Sequence, residues 1–299
     1  MPQRRRRLRN LHAIIGSIPM IMVSVGVFVF GIIYSVLLSF TNAKLFPKFN
    51  FIGLDQYERL WGETRWLVSV ENIWIFGVLI IVFQMTLGYL LAVFIDQRIK
   101  QEDAFRTIFL YPFSMSLVVT GLVWQWMLDP NLGFSSAMQK LGFESFVFAP
   151  LVHQSTAIYG LVMGGVWNGV GVTMAILLAG LRGIDAEIWR ATRVDGIPAW
   201  RAYLYIALPM IRGALATALI LQCTSIVRVY DLVIAMTQGG PGIATQMPAI
   251  FVIEHITNRQ NVALGMAAAS MMLLPIVVLL AIKSAADWHA KSRREQRAA

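Results

Sequence analysis

Long apolar runs alternate with short polar segments along this chain. Six of the runs are long enough to cross about 30 Å of hydrocarbon as single helices. They cover residues 11–40, 73–95, 108–128, 158–181, roughly 214–232, and 263–282. The pattern therefore predicts an all-α integral membrane protein with six transmembrane helices.

Composition supports this class and limits the number of domains. Of the 299 residues, 57% are hydrophobic and 14% are charged, whereas a soluble domain has about a quarter of its residues charged. We expect one transmembrane domain over residues 11–282, with basic tails at 1–10 and 283–299 and no room for a nucleotide-binding domain.

The distribution of positive charge predicts orientation. The net charge is +9, which alone would also suit a nucleic-acid-binding protein. If the N-terminus is cytoplasmic, however, most of the 25 Lys and Arg residues fall on the inner side of the predicted helices. The positive-inside rule then predicts a multi-pass membrane protein with both termini in the cytoplasm and no nucleic-acid partner. The first run is too long for a signal-peptide core and is expected to be retained.

The segments between the runs predict further features. Residues 42–72 form an outer loop rich in aromatic side chains, which suit either the membrane interface or contact with a soluble partner. Residues 129–157 form a second outer loop, in which 141–151 is apolar enough for a re-entrant or surface helix. The glycine-rich fourth run suits close packing between helices.

One polar insert, residues 184–209, has a local structure that can be read from its residues. Asp185 is placed to cap a short helix that ends just before Gly196, where a left-handed conformation is expected. Pro198 suits the first turn of a second helix, and Pro209 interrupts the next. The insert therefore predicts two short helices joined by a tight turn.

This insert resembles the coupling loop, or EAA loop, of the membrane subunits of ABC importers, in its sugar-importer form. The residues that fit at the right spacing are Glu187, Ala191, Asp195, Gly196, Trp200, Ile206, Leu208 and Pro209. Arg190 stands where the family has a glutamate that helps to seat the loop on the ATPase, and Thr192 replaces an alanine. Glu187, one turn earlier, is an alternative source of the acid.

The resemblance implies the type I permease fold of ABC importers and a set of residues that couple to the ATPase. The implied coupling residues are Glu187, Arg190, Ala191, Asp195, Gly196 and Pro209. It also implies a place in the bacterial inner membrane and several partners: a second permease, two ATPase subunits that carry ATP and Mg²⁺, and a periplasmic or extracellular binding protein for a carbohydrate.

Polar groups inside the apolar runs point to a substrate path, because exposing them to lipid is costly. The candidates are Trp167, Asn168, Gln222, Ser225, Arg228 and Asp231, with Gln84 and the segment 124–126 as weaker ones. Asn168 suits either sugar hydroxyls or a packing hydrogen bond between helices. Arg228 and Asp231, three residues apart, suit either an ion pair or the wall of the path.

A second motif follows the fifth run. Tyr230-Asp231, Thr237, Gly239-Gly240-Pro241 and Thr245 are similar to the end of the same helix in the first permease of maltose-type and glycerol-phosphate-type importers. Arg228 departs from that family, which more often has neutral or amide residues there. It suits a sugar hydroxyl, or an anionic group on a sugar derivative.

Other chemistries lack their residues in this sequence. Cys223 is the single cysteine and the four histidines are scattered, so we expect neither a disulfide within the chain nor a metal site. No phosphate-binding glycine-rich motif or catalytic grouping occurs, so we expect no enzyme activity and no bound cofactor. The rival functions are a stand-alone secondary transporter or channel, which would need ion-coupling carboxylates or inverted repeats, and a membrane-embedded enzyme.

Overall fold

The computed structural model describes most of the chain. The described residues are 17–44, 50–97 and 99–275. Every regular element in these ranges is a helix, which confirms the all-α class. The predicted tails, 1–10 and 283–299, lie outside the described residues.

The helices are numbered here in chain order. They are α1 (Ser17–Ser39), α2 (Asp55–Gly62), α3 (Thr64–Asp96), α4 (Glu102–Ser114), α5 (Leu117–Met127), α6 (Phe134–Lys140), α7 (Ala157–Arg182), α8 (Ala186–Val194), α9 (Ala199–Met210), α10 (Arg212–Val227), α11 (Asp231–Met236), α12 (Pro248–Ile253) and α13 (Val262–Pro275). The backbone divides into two units. One contains Met1–Glu63 and Phe251–Ala299, and the other contains Thr64–Ile250.

Three helices, α1, α3 and α7, are each long and apolar enough to cross a membrane. Two bent pairs, α4 with α5 and α9 with α10, would raise the number to five if each pair formed one span. The described part of the last predicted span is the shorter apolar helix α13. The number of six spans therefore stays a prediction.

The predicted third span, 108–128, is not one straight helix. It belongs to α4 and α5, whose axes differ by 99°. Met115 and Ser116 are extended, and the Ser116 hydroxyl accepts a hydrogen bond from the Val119 N–H, so a new helix begins there. The prediction of one helix was wrong because an apolar run has the same composition on both sides of a bend. Within such a run, the start of a new helix is marked by a capping residue, here Ser116.

The predicted fifth span, 214–232, also contains a break. α10 ends at Val227, and α11 begins only at Asp231. Arg228 and Asp231 are therefore not one turn apart on one helix, as the sequence spacing suggested. A 72° bend precedes this span, between α9 and α10, two residues after Pro209.

Two predictions about the outer loops were wrong. Residues 64–72 are the first turns of α3, because a helix continues past the point where its side chains become polar. Residues 141–151 are not helical, and α6 precedes them. The Ser135 hydroxyl accepts from the Phe148 N–H at 2.8 Å and donates to the Phe148 carbonyl at 3.1 Å, which holds this segment as a loop.

The unit that contains α1, α2 and α13 has a small core. Leu38, Ala43 and Ala263 are buried together, and the Ala263 N–H donates to the Ala43 carbonyl. The Tyr57 hydroxyl lies 2.7 Å from the Ser39 hydroxyl, so the aromatic loop is held against the end of α1. Phe51 remains 77% exposed, as interface or partner contact would require.

The larger unit is built around the packing of α3 against α7. Buried side chains form two apolar clusters, one around Phe76, Ile80 and Leu161 and the other around Tyr89, Met174 and Leu181. α7 also lies close to α4: the two helices are so near at Gly171 that a Cβ there would overlap the Phe109 carbonyl. Small residues on α7 thus permit the close packing that its glycine content predicts.

Candidate coupling loop and translocation face

The loop that joins α7 to α10 has the local structure that its sequence predicts. The Asp185 side chain accepts a hydrogen bond from the Glu187 N–H over 2.9 Å and caps α8. At the other end, Gly196 has a φ of +66°. The Gly196 N–H donates to the Arg193 carbonyl and the Ile197 N–H donates to the Thr192 carbonyl, which is the Schellman pattern of helix termination.

The docking stripe, defined as Glu187, Arg190, Ala191 and Val194, is one face of α8. Its members are spaced three and four residues apart, so they share one side of the helix. All four are exposed, Val194 by 86%, and no ion pair joins Glu187 to Arg190. This face is available for a partner.

The opposite face of α8 is packed against the membrane helices. Thr192 is buried, and its hydroxyl donates to the Trp189 carbonyl at 3.0 Å. The Trp189 ring lies 5.1 Å from the Tyr203 ring of α9. α8 therefore has one free face and one face fixed to the rest of its unit.

Tyr203 connects this loop to α3. Its hydroxyl donates to Asp96 Oδ2 over 2.8 Å, and its carbonyl accepts from the Tyr89 hydroxyl over 2.7 Å. Asp96 also lies 3.9 Å from the Arg182 guanidinium, which contacts Glu102 at 2.8 Å. Burial, followed by the hydrogen bond to Asp96, raises the pKa of Tyr203, so the hydroxyl stays protonated and able to donate.

The polar residues of α7 make contacts between helices. The Asn168 amide donates to the Pro112 carbonyl at 2.8 Å and to the Thr120 hydroxyl at 3.2 Å, so it joins both arms of the α4–α5 bend. Trp167 packs edge-on against Trp124, with ring centroids 6.2 Å apart. Both candidates are thus engaged within this chain.

Two glutamines are buried between α3, α7 and α10. Gln84 donates to the Gly165 carbonyl at 2.9 Å. Gln222, which is 6% exposed, donates to the Thr173 hydroxyl at 2.9 Å, while its Oε1 has no hydrogen-bond partner among the described residues. Gln222 therefore keeps an acceptor free at a buried position, which a packing role alone does not require.

Three other candidates are exposed where α10 ends and α11 begins. Ser225, Arg228 and Asp231 all lie on the surface of the chain. The Arg228 Nε donates to the Thr224 carbonyl at 3.3 Å, and no ion pair joins Arg228 to Asp231. We call Ser225, Arg228 and Asp231 the exposed polar face. The structure does not bring it together with Trp167 and Asn168 through any side-chain hydrogen bond.

The Gly-Gly-Pro loop after α11, residues 237–247, is held by a dense set of hydrogen bonds. The hydroxyls of Thr237 and Thr245 lie 2.7 Å apart, and Thr245 also donates to the Gly240 carbonyl. The buried Asn72 amide of α3 donates to the carbonyls of Ala244 and Gln246, at 3.0 and 2.9 Å. α3 therefore contacts two segments. Near its first residues Asn72 holds the Gly-Gly-Pro loop, and near its last residues Tyr89 and Asp96 hold Tyr203.

Comparison with known proteins assigns the family. The family model described as "Binding-protein-dependent transport system inner membrane component" matches residues 84–291, more than half of the chain. The chain belongs to this family. The match contains the coupling loop, the exposed polar face and the Gly-Gly-Pro loop, so these are parts of an ABC transporter permease.

Relatives of this permease extend the likeness to nearly the whole chain. A probable ABC transporter permease protein of Pyrococcus horikoshii is 31% identical over 92% of this chain and 95% of its own. The xylose/arabinose import permease protein of Haloferax volcanii is 26% identical over 86% of this chain and 82% of its own. The trehalose/maltose transport system permease protein of Thermococcus litoralis is 25% identical over 80% and 79%.

Solved structures share the fold of the permease. A crystal structure of a bacterial ABC transporter involved in import of the acidic polysaccharide alginate matches with a TM-score of 0.80 and 18% identity. The match covers 97% of this chain and 99% of that chain. This confirms the permease fold that the coupling loop implied.

Sequence reasoning missed part of the site. Tyr203, in the polar insert 184–209, was not among the candidates, and neither were Asp96 and Arg182. Asp96 and Arg182 each directly follow an apolar run. That position was the available signal, because side chains at helix ends can reach across to the next element. In the described residues, no group of three or more His, Cys, Asp or Glu is arranged to hold a metal ion.

Proposed function

We propose that this permease is one of the two membrane subunits of an ATP-driven, binding-protein-dependent carbohydrate importer. It forms the translocation path with a second permease and is driven by two separate ATPase subunits, which carry the ATP and Mg²⁺. A periplasmic or extracellular binding protein delivers the sugar. The chain lies in a bacterial inner membrane with both termini in the cytoplasm, and it is not itself an enzyme.

The two-faced helix α8 carries this proposal. A helix that served only to connect two spans would have no reason to keep a capped, Schellman-terminated structure with one face free. The docking stripe combines an exposed Val194 with the charged side chains of Glu187 and Arg190, which suits a groove that is apolar at its centre and polar at its rim. Glu187, Arg190, Ala191, Asp195, Gly196 and Pro209 are the proposed coupling residues.

The carbohydrate substrate is inferred from the relatives. The permeases from Haloferax volcanii and Thermococcus litoralis are named for xylose/arabinose and trehalose/maltose. These are neutral sugars, and hydroxyl groups are recognised by amides, hydroxyls and aromatic faces. Gln222, with its free buried acceptor, and Trp167 offer such groups, and Ser225 offers a hydroxyl.

The exposed polar face supports a shared translocation path. An Arg228 that faced lipid would be costly, so an exposed Arg228 in a membrane protein calls for water or a partner protein beside it. A second permease that closes over this face would put Arg228, Ser225 and Asp231 on the wall of a common cavity. Asn168 and Trp167 would act behind that wall.

The test is reconstitution of the whole importer. The permease is co-expressed with a candidate second permease and a candidate ATPase of the same importer type, purified through a tag on this chain, and placed in liposomes with the binding protein. We expect both partners to co-purify and sugar to stimulate ATP hydrolysis and uptake. A panel of neutral sugars, uronic acids and sugar phosphates then reports the substrate class.

Matched preparations separate the rival functions. Uptake by this chain in the absence of the ATPase would contradict the proposal and favour a secondary transporter. Stimulation by uronic acids or sugar phosphates alone would replace the neutral sugar with an anionic one and leave the importer role in place. Absence of ATPase from the purified wild-type complex would overturn the coupling role of α8.

A further inference from the structure

Tyr203 occupies a junction that the docking surface alone does not explain. Its ring packs against Trp189, on the fixed face of α8, at 5.1 Å. Its hydroxyl reaches Asp96, the last residue of α3, and its carbonyl accepts from Tyr89, two turns earlier on α3. One residue therefore contacts the docking helix with its ring and α3 with both its side chain and its backbone.

The backbone at Tyr203 is wider than an ordinary α-helix. Residues Ala202–Ala207 form a π-helical segment, and the Leu208 N–H donates to the Tyr203 carbonyl. A π-helical turn departs from regular helix geometry and is frequently found at functional sites. The same carbonyl also accepts a hydrogen bond from the Tyr89 hydroxyl.

Asp96 joins this contact to two more helices. Besides accepting from Tyr203, it lies 3.9 Å from Arg182 at the end of α7, and Arg182 contacts Glu102 at the start of α4. The Asp96 side chain is only 14% exposed. The ends of three helices are thus linked to α9 through one carboxylate.

α3 extends from this junction to the opposite end of its unit. It is a single helix of 33 residues, which corresponds to about 50 Å. Near its first turns, Asn72 holds the Gly-Gly-Pro loop by two hydrogen bonds. A displacement of Tyr203 is therefore applied to one end of a rigid helix whose other end positions that loop.

We propose that Tyr203 is a positioning residue. Its hydroxyl transmits movement of α8 to α3, and through α3 to the Gly-Gly-Pro loop. The inference rests on the proposed importer function, since it needs an ATPase to move α8. Without the Tyr203–Asp96 bond, α8 still docks through its stripe, but its movement shifts α3 less, because only the hydrogen bond from Tyr89 to the Tyr203 carbonyl then joins Tyr203 to α3. Docking and coupling are then separable properties.

The experiment uses the complete importer in liposomes with its binding protein and the sugar found to stimulate it. Tyr203→Phe removes only the hydroxyl. We expect unchanged co-purification of the ATPase and a loss of about fivefold or more in sugar uptake per ATP hydrolysed, in the range of ordinary coupling between distant sites. The matched control is Tyr205→Phe in the same helix, where Tyr205 is 72% exposed and its hydroxyl makes no hydrogen bond within the part of the chain that the structure describes.

Two variants of Asp96 test the same bond from the α3 side. Asp96→Asn keeps an oxygen acceptor for the Tyr203 hydroxyl and should keep most of the uptake per ATP. Asp96→Ala removes the acceptor and should reproduce the loss seen in Tyr203→Phe, even if that variant assembles poorly.

The outcomes distinguish this inference from the proposed function. Wild-type uptake per ATP in Tyr203→Phe would overturn the inference and leave the importer intact. If Asp96→Asn uncouples transport as strongly as Asp96→Ala, the coupling role belongs to the contact with Arg182. That result would also overturn the inference about Tyr203. If the wild-type complex itself holds no ATPase, the proposed function fails first.

Discussion

Single residues at the two ends of α8 determine how the coupling loop folds. Asp185 satisfies a free N–H at the start of the helix, and Gly196 supplies the left-handed conformation at its end. These features were predicted from the sequence because caps are local: the side chain and the backbone group that it satisfies lie within a few residues. The same logic makes Gly196 a precise target.

Gly196→Val should uncouple the importer without preventing insertion of the permease. A β-branched side chain resists a φ of +66°, and non-glycine residues in this region cost about 1–2 kcal/mol. No atom lies within 4 Å of a Cβ built at Gly196, so the effect comes from the backbone and not from a clash. Sugar-stimulated ATPase activity and uptake measure it.

The control for this variant is Gly196→Asn, because asparagine enters the left-handed region with little penalty. It should stay close to the wild type. Full activity in Gly196→Val would mean that the turn does not transmit the ATPase movement.

Arg228 is the residue whose role the sequence left most open. An i, i+3 spacing on one helix would suit an ion pair between Arg228 and Asp231, but a break in the helix separates the two residues. A helix break inside an apolar run leaves little trace in its composition. The spacing therefore wrongly predicted that the two residues lie on one helix. The guanidinium is left exposed and free to meet a partner or a substrate.

Arg228→Gln should leave assembly intact and lower uptake by roughly tenfold, since a hydrogen bond to a charged group contributes about 1.5–3 kcal/mol, against about 1 for a neutral one. An anionic sugar should lose more than a neutral one. Arg212→Gln, at the other end of α10, removes the same charge outside the exposed polar face and serves as the control. Unchanged uptake of every accepted sugar would exclude Arg228 from the path.

At the scale of helices, the docking stripe of α8 carries two charged side chains that we expect to contribute unequally to docking of the ATPase. Glu187 lies in the first turn, where the helix dipole favours an acid, and Arg190 lies one turn later at the position of the usual glutamate. Glu187→Lys should therefore weaken ATPase docking by about fivefold, more than Arg190→Glu does. Quantitative co-purification of the ATPase gives the order.

Arg193→Glu makes the same charge change outside the docking stripe and should have the smallest effect of the three. If Arg190→Glu proves the most damaging, the ATPase groove carries an acidic partner for Arg190, and Glu187 is not needed for docking.

The bend between α4 and α5 depends on Asn168. Its amide satisfies the Pro112 carbonyl and the Thr120 hydroxyl at once. Asn168→Ala should cost about 1–3 kcal/mol, because it leaves buried polar groups unpaired. The melting temperature of the purified complex should fall by several degrees, whereas Asn258→Ala, at an exposed position, should leave it unchanged. An unchanged melting temperature in Asn168→Ala would show that the bend is held by other contacts.

How far the sequence predicted this fold depends on the range of each interaction. Helix ends in the coupling loop were predicted because their signals are local. A packing hydrogen bond between helices was one of the two alternatives predicted for Asn168, but its partners were not predicted, and neither was the contact of Tyr203. These bonds join residues 56 and 107 positions apart, with intervening segments of their own. Apolar runs predicted where helices lie but not where they bend, since lipid-facing composition is the same on both sides of a bend.

At the scale of the whole chain, orientation remains a prediction from charge. Six helices with both termini inside place Ser145 outside and Ser292 in the cytoplasm. After replacement of Cys223, single cysteines at these positions should label from opposite sides of sealed cells or vesicles. Labelling of Ser292→Cys from outside would contradict the model of orientation.

The unbroken length of α3 also ties this permease to the thickness of its bilayer. Glu71 is the last charged residue of α3 before its long apolar stretch, and it lies next to the Asn72 that holds the Gly-Gly-Pro loop. A bilayer thinner than the apolar stretch would be matched by tilting the helix. Tilt would carry Asn72 sideways with it, so lipids of different acyl-chain length should tune transport through the same hydrogen bonds that fix the loop.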